Sequence, residues 1–174
     1  MKSGKKYVAL TFDDGYKDNA TTAAKILNRI GFKATFFITT SYIDGKSDKR
    51  WSGGNLREYM TWADIKKLSR DGFEIGSHMV HHVDLTALSD DELVLEFEKS
   101  RDVILRKTGV SARVFSYPYG KLNKKMVCIA RKAGYIGGCS ILDGLNYKTT
   151  DRYMLRRTEI SGYDTVEDFR NKVG

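Results

Sequence analysis

Short apolar runs recur along the chain, and the first of them ends in two acidic residues. In residues 8–12, Val8, Leu10 and Phe12 alternate with smaller side chains over a length typical of a strand. Further runs predict strands over residues 32–38, 73–77, 113–117, 135–141 and 155–160.

Segments with apolar residues at helical spacing separate these strands. They cover residues 19–30, 61–71, 89–107 and 123–133, and a last amphipathic helix begins at Thr165. The inner face predicted for the first helix consists of Ala23, Ile26, Leu27 and Ile30. Helix starts are indicated by the pairs Thr61 with Asp64 and Ser89 with Glu92, and by Asn123. Alternating strands and helices predict parallel pairing and an α/β fold like that of a β/α barrel.

Length and composition fit one globular domain spanning residues 1–174. Hydrophobic residues make up 41% of the chain and charged residues 30%, as in ordinary globular proteins. No apolar run approaches the ~20 residues that a membrane span needs, so no span is predicted. Residues 1–6 lack the apolar core of a secretion signal, so either the protein is cytoplasmic or a native leader is missing from this sequence.

Basic residues outnumber acidic ones, with 30 Lys and Arg against 22 Asp and Glu and a net charge of +8. This excess permits contact with nucleic acid, an anionic membrane or a cell-wall polymer. Because the basic residues are scattered among acids, a solvated surface is preferred to a nucleic-acid site. Cys128 and Cys139 lack C-x-x-C spacing, which excludes a cysteine zinc cluster and favours buried packing over a disulfide.

The first strand ends in Asp13, Asp14 and Gly15. An apolar run that ends in two anions is costly to bury unless something neutralises them. Gly15 allows the chain to turn back and bring both carboxylates to one place. A solvated turn is the alternative interpretation.

All three histidines of the chain fall in residues 78–82, directly after the third predicted strand. His78 and His82 are four residues apart, so on a helical turn both imidazoles face the same way. Two such histidines plus a carboxylate commonly bind zinc or another divalent metal. A surface patch or hydrogen bonding in the core are alternatives, and pairing of His78 with His81 also stays open.

The fourth predicted strand breaks at Pro118, the only proline of the chain. Proline fixes its own torsion and lacks an N–H, so the chain turns there and the amide of Tyr119 can point into a cleft. A fixed backbone N–H facing the reacting group is what an oxyanion hole requires. A plain connector between strand and helix is the alternative.

These three motifs, in this order and each at the end of a strand, resemble the polysaccharide deacetylases, the NodB-like carbohydrate esterases. Residues 11–15 match the first motif of that family letter for letter. His78 and His82, followed by Asp84 and Leu85, are similar to the second motif, and residues 115–120 resemble the third. The resemblance covers about residues 8–160 and implies a distorted (β/α) barrel.

The resemblance also implies roles for the motif residues. The ligands of a divalent metal, usually zinc and sometimes another transition ion, would be Asp14, His78 and His82. Asp13 would be the general base for the metal-bound water, and the Tyr119 amide would share the oxyanion with the metal. Two adjacent carboxylates cannot both bind one ion without strain, which fits this division of roles. Pro118 and Arg157 are expected at the substrate-binding surface.

The chain departs from the family pattern within the third motif and in a fourth one. Ser116 stands where the family usually has an arginine that is thought to tune the base. In residues 143–147 the usual second acid and tryptophan are replaced by Asn146 and Tyr147. The hydrolytic half of the site is therefore intact and the proton-donating half is altered.

No histidine follows His82 to protonate the leaving amine. We therefore expect protonated Asp13 to return its proton to the amine. Arg156 or Arg157 is expected to supply the missing cation, because alternation along a strand sends only one of them inward. A solvated edge is the alternative for both arginines.

The leading interpretation is a metal-dependent N-deacetylase acting on an N-acetylated glycan such as peptidoglycan, a chitin-like oligomer or an exopolysaccharide. It predicts an extracytoplasmic or cell-surface protein that contacts no nucleic acid. In the polar loop of residues 44–55, Trp51 either stacks on a sugar ring or packs the loop down. The alternatives are removal of O-acetyl esters, as from xylan, a catalytically weakened glycan-binding module, and a basic nucleic-acid binder.

Overall fold

The structure is a computed structural model that describes residues 7–44 and 57–174. Trp51 and most of its predicted loop lie outside the described residues. Among the described helices, none has the length and apolar character needed to cross a bilayer.

A single five-stranded sheet forms the centre of the described fold, and each strand pairs in parallel with the next strand along the chain. The strands are β1 (Leu10–Phe12), β2 (Ala34–Ile38), β3 (Glu74–Ser77), β4 (Val114–Ser116) and β5 (Gly137–Cys139). The sheet curls into an open half-barrel, which confirms the predicted α/β class and the distorted-barrel architecture. Because all strands are parallel, their carboxyl ends share one edge, where sites are built in such folds.

Four of the described α-helices lie between the strands and a fifth follows β5, where the apolar spacing predicts them. They are α1 (Ala24–Arg29), α2 (Trp62–Arg70), α3 (Asp90–Thr108), α4 (Lys124–Lys132) and α5 (Val166–Val173). Capping boxes open three of them, with Thr61 and Asp64 before α2, Ser89 and Glu92 before α3, and Thr165 and Asp168 before α5. The Asn123 side chain caps α4. These side chains satisfy N–H groups that a helix start leaves without partners.

The apolar face predicted for the first helix is partly wrong. Asn19–Ala23 form a π-helical turn that runs directly into α1. Ala24 and Leu27 of α1 lie three residues apart on the buried face, whereas Ile26 and the C-cap residue Ile30 lie four apart on a neighbouring face and are 52% and 58% exposed.

The sixth predicted strand, residues 155–160, is reduced to one bridge between Cys139 and Leu155. The next backbone group that can face β5 is the N–H of Arg157, because the backbone groups of successive residues in a strand point to opposite sides. This N–H donates to the carbonyl of Leu142, and the Ser140 carbonyl accepts from Arg157 Nε instead. The backbone of Arg156 faces away from β5 and is satisfied by the Asn146 side chain. The ladder therefore ends after one bridge.

Two apolar clusters cover the sheet and fix the positions of the strand ends. One cluster includes Phe36 and Ile75, and the other includes Phe97 and Phe115, which pack edge to face with ring centroids 5.2 Å apart. The cysteines form no disulfide, as predicted, and Cys139 is buried at the end of β5. Cys128 is exposed on α4, so its predicted packing role is wrong.

Candidate metal centre

The turn after β1 is held in a backbone conformation that few residues adopt. Asp14 has φ 71° and Gly15 has φ 85°, and the Gly15 N–H donates to the carbonyl of Asp13 at 2.9 Å. The left-handed conformation costs a residue with a side chain about 1–2 kcal/mol, and such strain persists only where the surroundings maintain it. The turn gives the two neighbouring carboxylates different surroundings.

Asp14 Oδ1 lies between two imidazole nitrogens. It is 3.3 Å from His78 Nε2 and 3.2 Å from His82 Nε2. This oxygen is buried and, among the described residues, has no partner with hydrogen-bond geometry. Candidate ligand atoms of the three residues all lie within 4.8 Å of one another.

This arrangement fits a divalent cation. Two ligands bound at about 2.0–2.1 Å to a tetrahedral ion lie about 3.3 Å apart, which is close to both separations from Asp14 Oδ1. A carboxylate oxygen and two imidazole nitrogens are also a common donor set for zinc with one position open. The fit is one of donor type and spacing, and no ion is part of the structure.

The orientation of His78 is fixed by the strand beside it. His78 is 2% exposed, and its Nδ1 lies 2.8 Å from the carbonyl oxygen of Ser116. A carbonyl only accepts, so Nδ1 carries a hydrogen, and Nε2 is the ring nitrogen that faces Asp14. The His82 ring packs edge-on against the rings of His78 and Tyr119, with centroids 4.8 and 4.7 Å apart.

His78 and His82 converge, but they do so on an irregular loop, so the helical turn predicted from their spacing is wrong. After β3, Met79 and His82 take positive φ values of 64° and 51°. This irregular segment, residues 78–82, is called the histidine loop below. The third histidine, His81, points instead to Glu96, with its Nδ1 2.5 Å from Glu96 Oε1.

Asp13 is clamped by Arg157. The guanidinium donates through Nη1 to Asp13 Oδ1 and through Nη2 to Asp13 Oδ2, both at 2.8 Å. Its other donors reach Thr11 Oγ1, Ser116 Oγ and the carbonyl of Ser140 at 3.2, 2.8 and 2.8 Å. An arginine has five N–H donors, and all five are used within the protein.

These contacts set the charge state of Asp13. Burial raises the pKa of its carboxyl, but His78, Arg157 and Ser116 together outweigh burial and hold that pKa below its ordinary value. Burial also raises the pKa of the Asp14 carboxyl, and the imidazoles of His78 and His82 bring it well below the ordinary range. Both carboxyls are therefore ionised at neutral pH.

Arg157 reaches the site because the chain around it is attached to residues 142–146. The Arg157 N–H donates to the carbonyl of Leu142 at 2.9 Å, and Asn146 pairs with the backbone of Arg156 at 2.8 and 2.9 Å. Arg156 itself points away, donating to the carbonyl of Asp143. Thr11 lies in the first motif, although no role of its own is predicted for it from the sequence, and Ser140 carries no signal in the sequence that marks it as functional.

The turn at Pro118 also lies against the site, where the Tyr119 ring contacts the ring of His82. Pro118 is buried, and Tyr119 has φ 58° and is 42% exposed as a residue. The hydrogen bonds of this turn run from the Tyr117 N–H to Cys139 and from the Gly120 N–H to Tyr117. Neither uses the Tyr119 N–H, so the predicted oxyanion donor stays a prediction.

Comparison with known proteins places these features in a family. The sequence profile described as Polysaccharide deacetylase matches residues 1–137. The protein YxkH of Bacillus subtilis strain 168, which carries the same family name, is 29% identical over 160 residues, covering 92% of this chain and 53% of YxkH. The chitin deacetylase of Arthroderma benhamiae is 32% identical over 117 residues, covering 63% of this chain and 28% of that protein. This chain thus spans about half or less of the curated relatives it matches.

Solved structures agree with this placement. The Streptococcus pyogenes deacetylase PplD, solved in complex with acetate, superposes with a TM-score of 0.83 at 25% identity, covering 99% of this chain and 72% of PplD. The polysaccharide deacetylase BC0361 of Bacillus cereus has the same fold, with a TM-score of 0.80 at 23% identity, covering 95% of this chain and 51% of that one. With its profile match over most of its length, the chain belongs to the polysaccharide deacetylase family.

Proposed function

We propose that the protein is a metal-dependent hydrolase that removes N-acetyl groups from N-acetylhexosamine units of a glycan. The observation that carries the proposal is the convergence of Asp14, His78 and His82 beside an Asp13 that is held ionised. Relatives named as chitin deacetylase and peptidoglycan-N-acetylglucosamine deacetylase support the glycan class. We place the activity in one catalytic domain, residues 1–174, acting outside the cytoplasm or at the cell surface.

The cation, most simply zinc, would be held by Asp14, His78 and His82. When bound, a divalent cation acidifies a water molecule and polarises the acetamide carbonyl. The chain itself supplies the orientation of the ligands. The bond from His78 Nδ1 to the Ser116 carbonyl fixes the ring, as outer partners of metal-binding histidines do.

Asp13 acts as the general base, and Oδ1 is its reactive oxygen. Among the described residues, Oδ2 accepts from both Arg157 and Ser116, whereas Oδ1 accepts from Arg157 alone. A carboxylate oxygen has two lone pairs, so Oδ1 keeps one for the proton of the attacking water. The Asp13 side chain is 27% exposed, so water can reach it.

The same carboxyl then protonates the leaving amine. Water adds to the acetamide carbon, and its proton passes to Asp13 Oδ1. When the C–N bond breaks, that proton moves to the nitrogen, and the products are acetate and a free amino sugar. The Tyr119 N–H donates to the developing oxyanion, which is the role predicted for it from the sequence.

Arg157 acts through Asp13 in this mechanism. All five of its donors are used within the protein, so none is left to bind substrate. We therefore assign Arg157 the role of the cation that the family usually has at position 116. A bidentate arginine fixes both the charge and the orientation of a carboxylate. Pro118 stays a predicted residue of the substrate surface.

Acetate release from zinc-loaded protein tests this proposal, with N-acetylglucosamine oligomers, peptidoglycan and acetylated xylan as substrates. We expect release from the N-acetylated substrates and loss of about 10²–10⁴ in kcat for Asp13→Asn, since general-base catalysis contributes about that much. Asp102→Asn, an exposed carboxylate on α3, is the control. Release only from xylan would indicate an O-acetyl esterase, and glycan binding without release would indicate a binding module.

A further inference from the structure

The histidine loop has a backbone shape that its own sequence does not favour. Met79 and His82 both take left-handed φ values, and neither is glycine. Each such residue costs about 1–2 kcal/mol and persists only where surrounding contacts determine it. The neighbours of the loop must therefore hold it.

One set of neighbours holds the carbonyls of the loop. Each carbonyl of residues 78–81 accepts a hydrogen bond from the segment that follows β2. The donors, in order, are Thr39 Oγ1, the Thr40 N–H, the Ser41 N–H and the Tyr42 hydroxyl, at 3.3, 3.1, 3.0 and 3.3 Å. These contacts attach one side of the loop to the sheet.

Glu96 of α3 holds the opposite side. Its Oε2 accepts the Val80 N–H at 2.8 Å and the His81 N–H at 3.2 Å, and its Oε1 contacts His81 Nδ1 at 2.5 Å. Glu96 is 6% exposed. A carboxylate is costly to bury without partners, and within the described part of the chain the hydrogen bonds of Glu96 all go to the histidine loop.

These contacts also determine which histidines face Asp14. With Nδ1 directed at Glu96, the ring of His81 is turned away, and the candidate ligand group consists of Asp14, His78 and His82. Ser100, one turn further along α3, supports the same loop through Ser77 Oγ, which accepts the Met79 N–H. The helix thus supports the loop at two points.

We infer that Glu96 is a positioning residue that shapes the histidine loop so that His78 and His82 present their nitrogens toward Asp14 before a metal binds. This inference rests on the proposed metal-dependent function. Glu96 touches neither the cation position nor the substrate in this account. It orders the histidine loop in advance, so metal binding costs less conformational entropy.

Zinc affinity, measured by competition with a chromophoric chelator, tests the inference on the whole chain. We expect Glu96→Ala to weaken zinc binding about 10–100-fold, as loss of an outer partner typically does. Glu96→Gln keeps a carbonyl oxygen that can accept both backbone amides, so it should bind zinc within about fivefold of the wild type. Glu98→Ala, an exposed glutamate on the same helix, is the matched control and should leave the affinity unchanged.

A purely structural role predicts a different result. In that case Glu96→Ala melts at a lower temperature but binds zinc as tightly as the wild type, and the inference is overturned while the proposed function stands. If the wild type binds no zinc, the proposed function fails first and the inference with it.

Hydrogen exchange on the zinc-free wild type does not depend on any variant folding. The amides of Val80 and His81 donate to Glu96, so they should already be protected in the zinc-free protein. Protection that appears only with zinc would show that the loop is not preformed, which contradicts the inference.

Discussion

Replacing Arg157 tests how the base is held. In Arg157→Met the side chain keeps a similar apolar length, while Asp13 loses two hydrogen bonds of 2.8 Å and its neighbouring cation. Breaking a buried ion pair costs about 3–5 kcal/mol. Both side chains keep some solvent contact, with 17% and 27% exposed, so we expect about 3 kcal/mol at neutral pH, the lower end of that range.

The pH dependence gives the sharper readout. Arg157 and His78 hold the pKa of the Asp13 carboxyl below its ordinary value against the effect of burial. Without the guanidinium this pKa rises, so the acidic limb of the kcat/KM profile should move to higher pH. Arg157→Lys keeps the charge but not the two-pronged geometry, so its acidic limb should move less, while its kcat still falls.

Stability should follow the same linkage. The folded wild type holds the Asp13 pKa below its unfolded value, so this stabilisation is fully present above the unfolded pKa and is lost as pH falls through the folded pKa. The difference in unfolding free energy between wild type and Arg157→Met should therefore shrink as the pH is lowered. Urea denaturation at a series of pH values measures it. Arg156→Met, whose guanidinium points away from Asp13, is the control.

One pattern would refute this reasoning. If Arg157→Met and Arg156→Met show the same acidic limb, and both keep kcat within about twofold of the wild type, then Arg157 does not act on the base. Asp13 would then be held ionised by its other neighbours.

Three further predictions concern Tyr119, Asn146 and Asp14. Tyr119→Gly should keep kcat within about threefold of the wild type, because glycine accepts φ 58° and retains the backbone N–H. A loss above about 100-fold would assign the stabilisation of the oxyanion to the tyrosine side chain instead. Asn146→Asp removes the donor to the Arg156 carbonyl. It should lower the unfolding free energy measured by urea denaturation by about 1–2 kcal/mol, and it should lower kcat as well as kcat/KM. Zinc at about 100 times its dissociation constant should stabilise the wild type by about 2.7 kcal/mol, and in Asp14→Ala calorimetry should show no such gain.

The sequence predicts those parts of the molecule that depend on local chemistry. Capping pairs such as Ser89 with Glu92, and apolar spacing in α3, act within a few residues, so both features appear where they are expected. The motif ending in Asp13 and Asp14 lies at a strand end, and parallel pairing then brings it to the same edge as the histidines. The convergence of Asp14 with His78 and His82 follows from that topology.

The features that the sequence does not predict depend on long-range packing. The shape of the histidine loop is determined by Glu96 and by the segment after β2, neither of which is adjacent to it in sequence. The loss of the sixth strand follows from the Arg157 N–H, which donates to the carbonyl of Leu142 while the Arg157 side chain takes the carbonyl of Ser140. Spacing along the sequence does not reveal these contacts. Alternation predicted that one of two arginines faces inward, but only the fold shows that it is Arg157.

Anomalous diffraction from zinc-soaked crystals, recorded at the zinc absorption edge, tests the central claim most directly. We predict one strong peak about 2.0–2.2 Å from Asp14 Oδ1, His78 Nε2 and His82 Nε2, with Asp13 outside the coordination sphere. A peak on His81, or crystals that bind zinc only at surface carboxylates, would contradict the account.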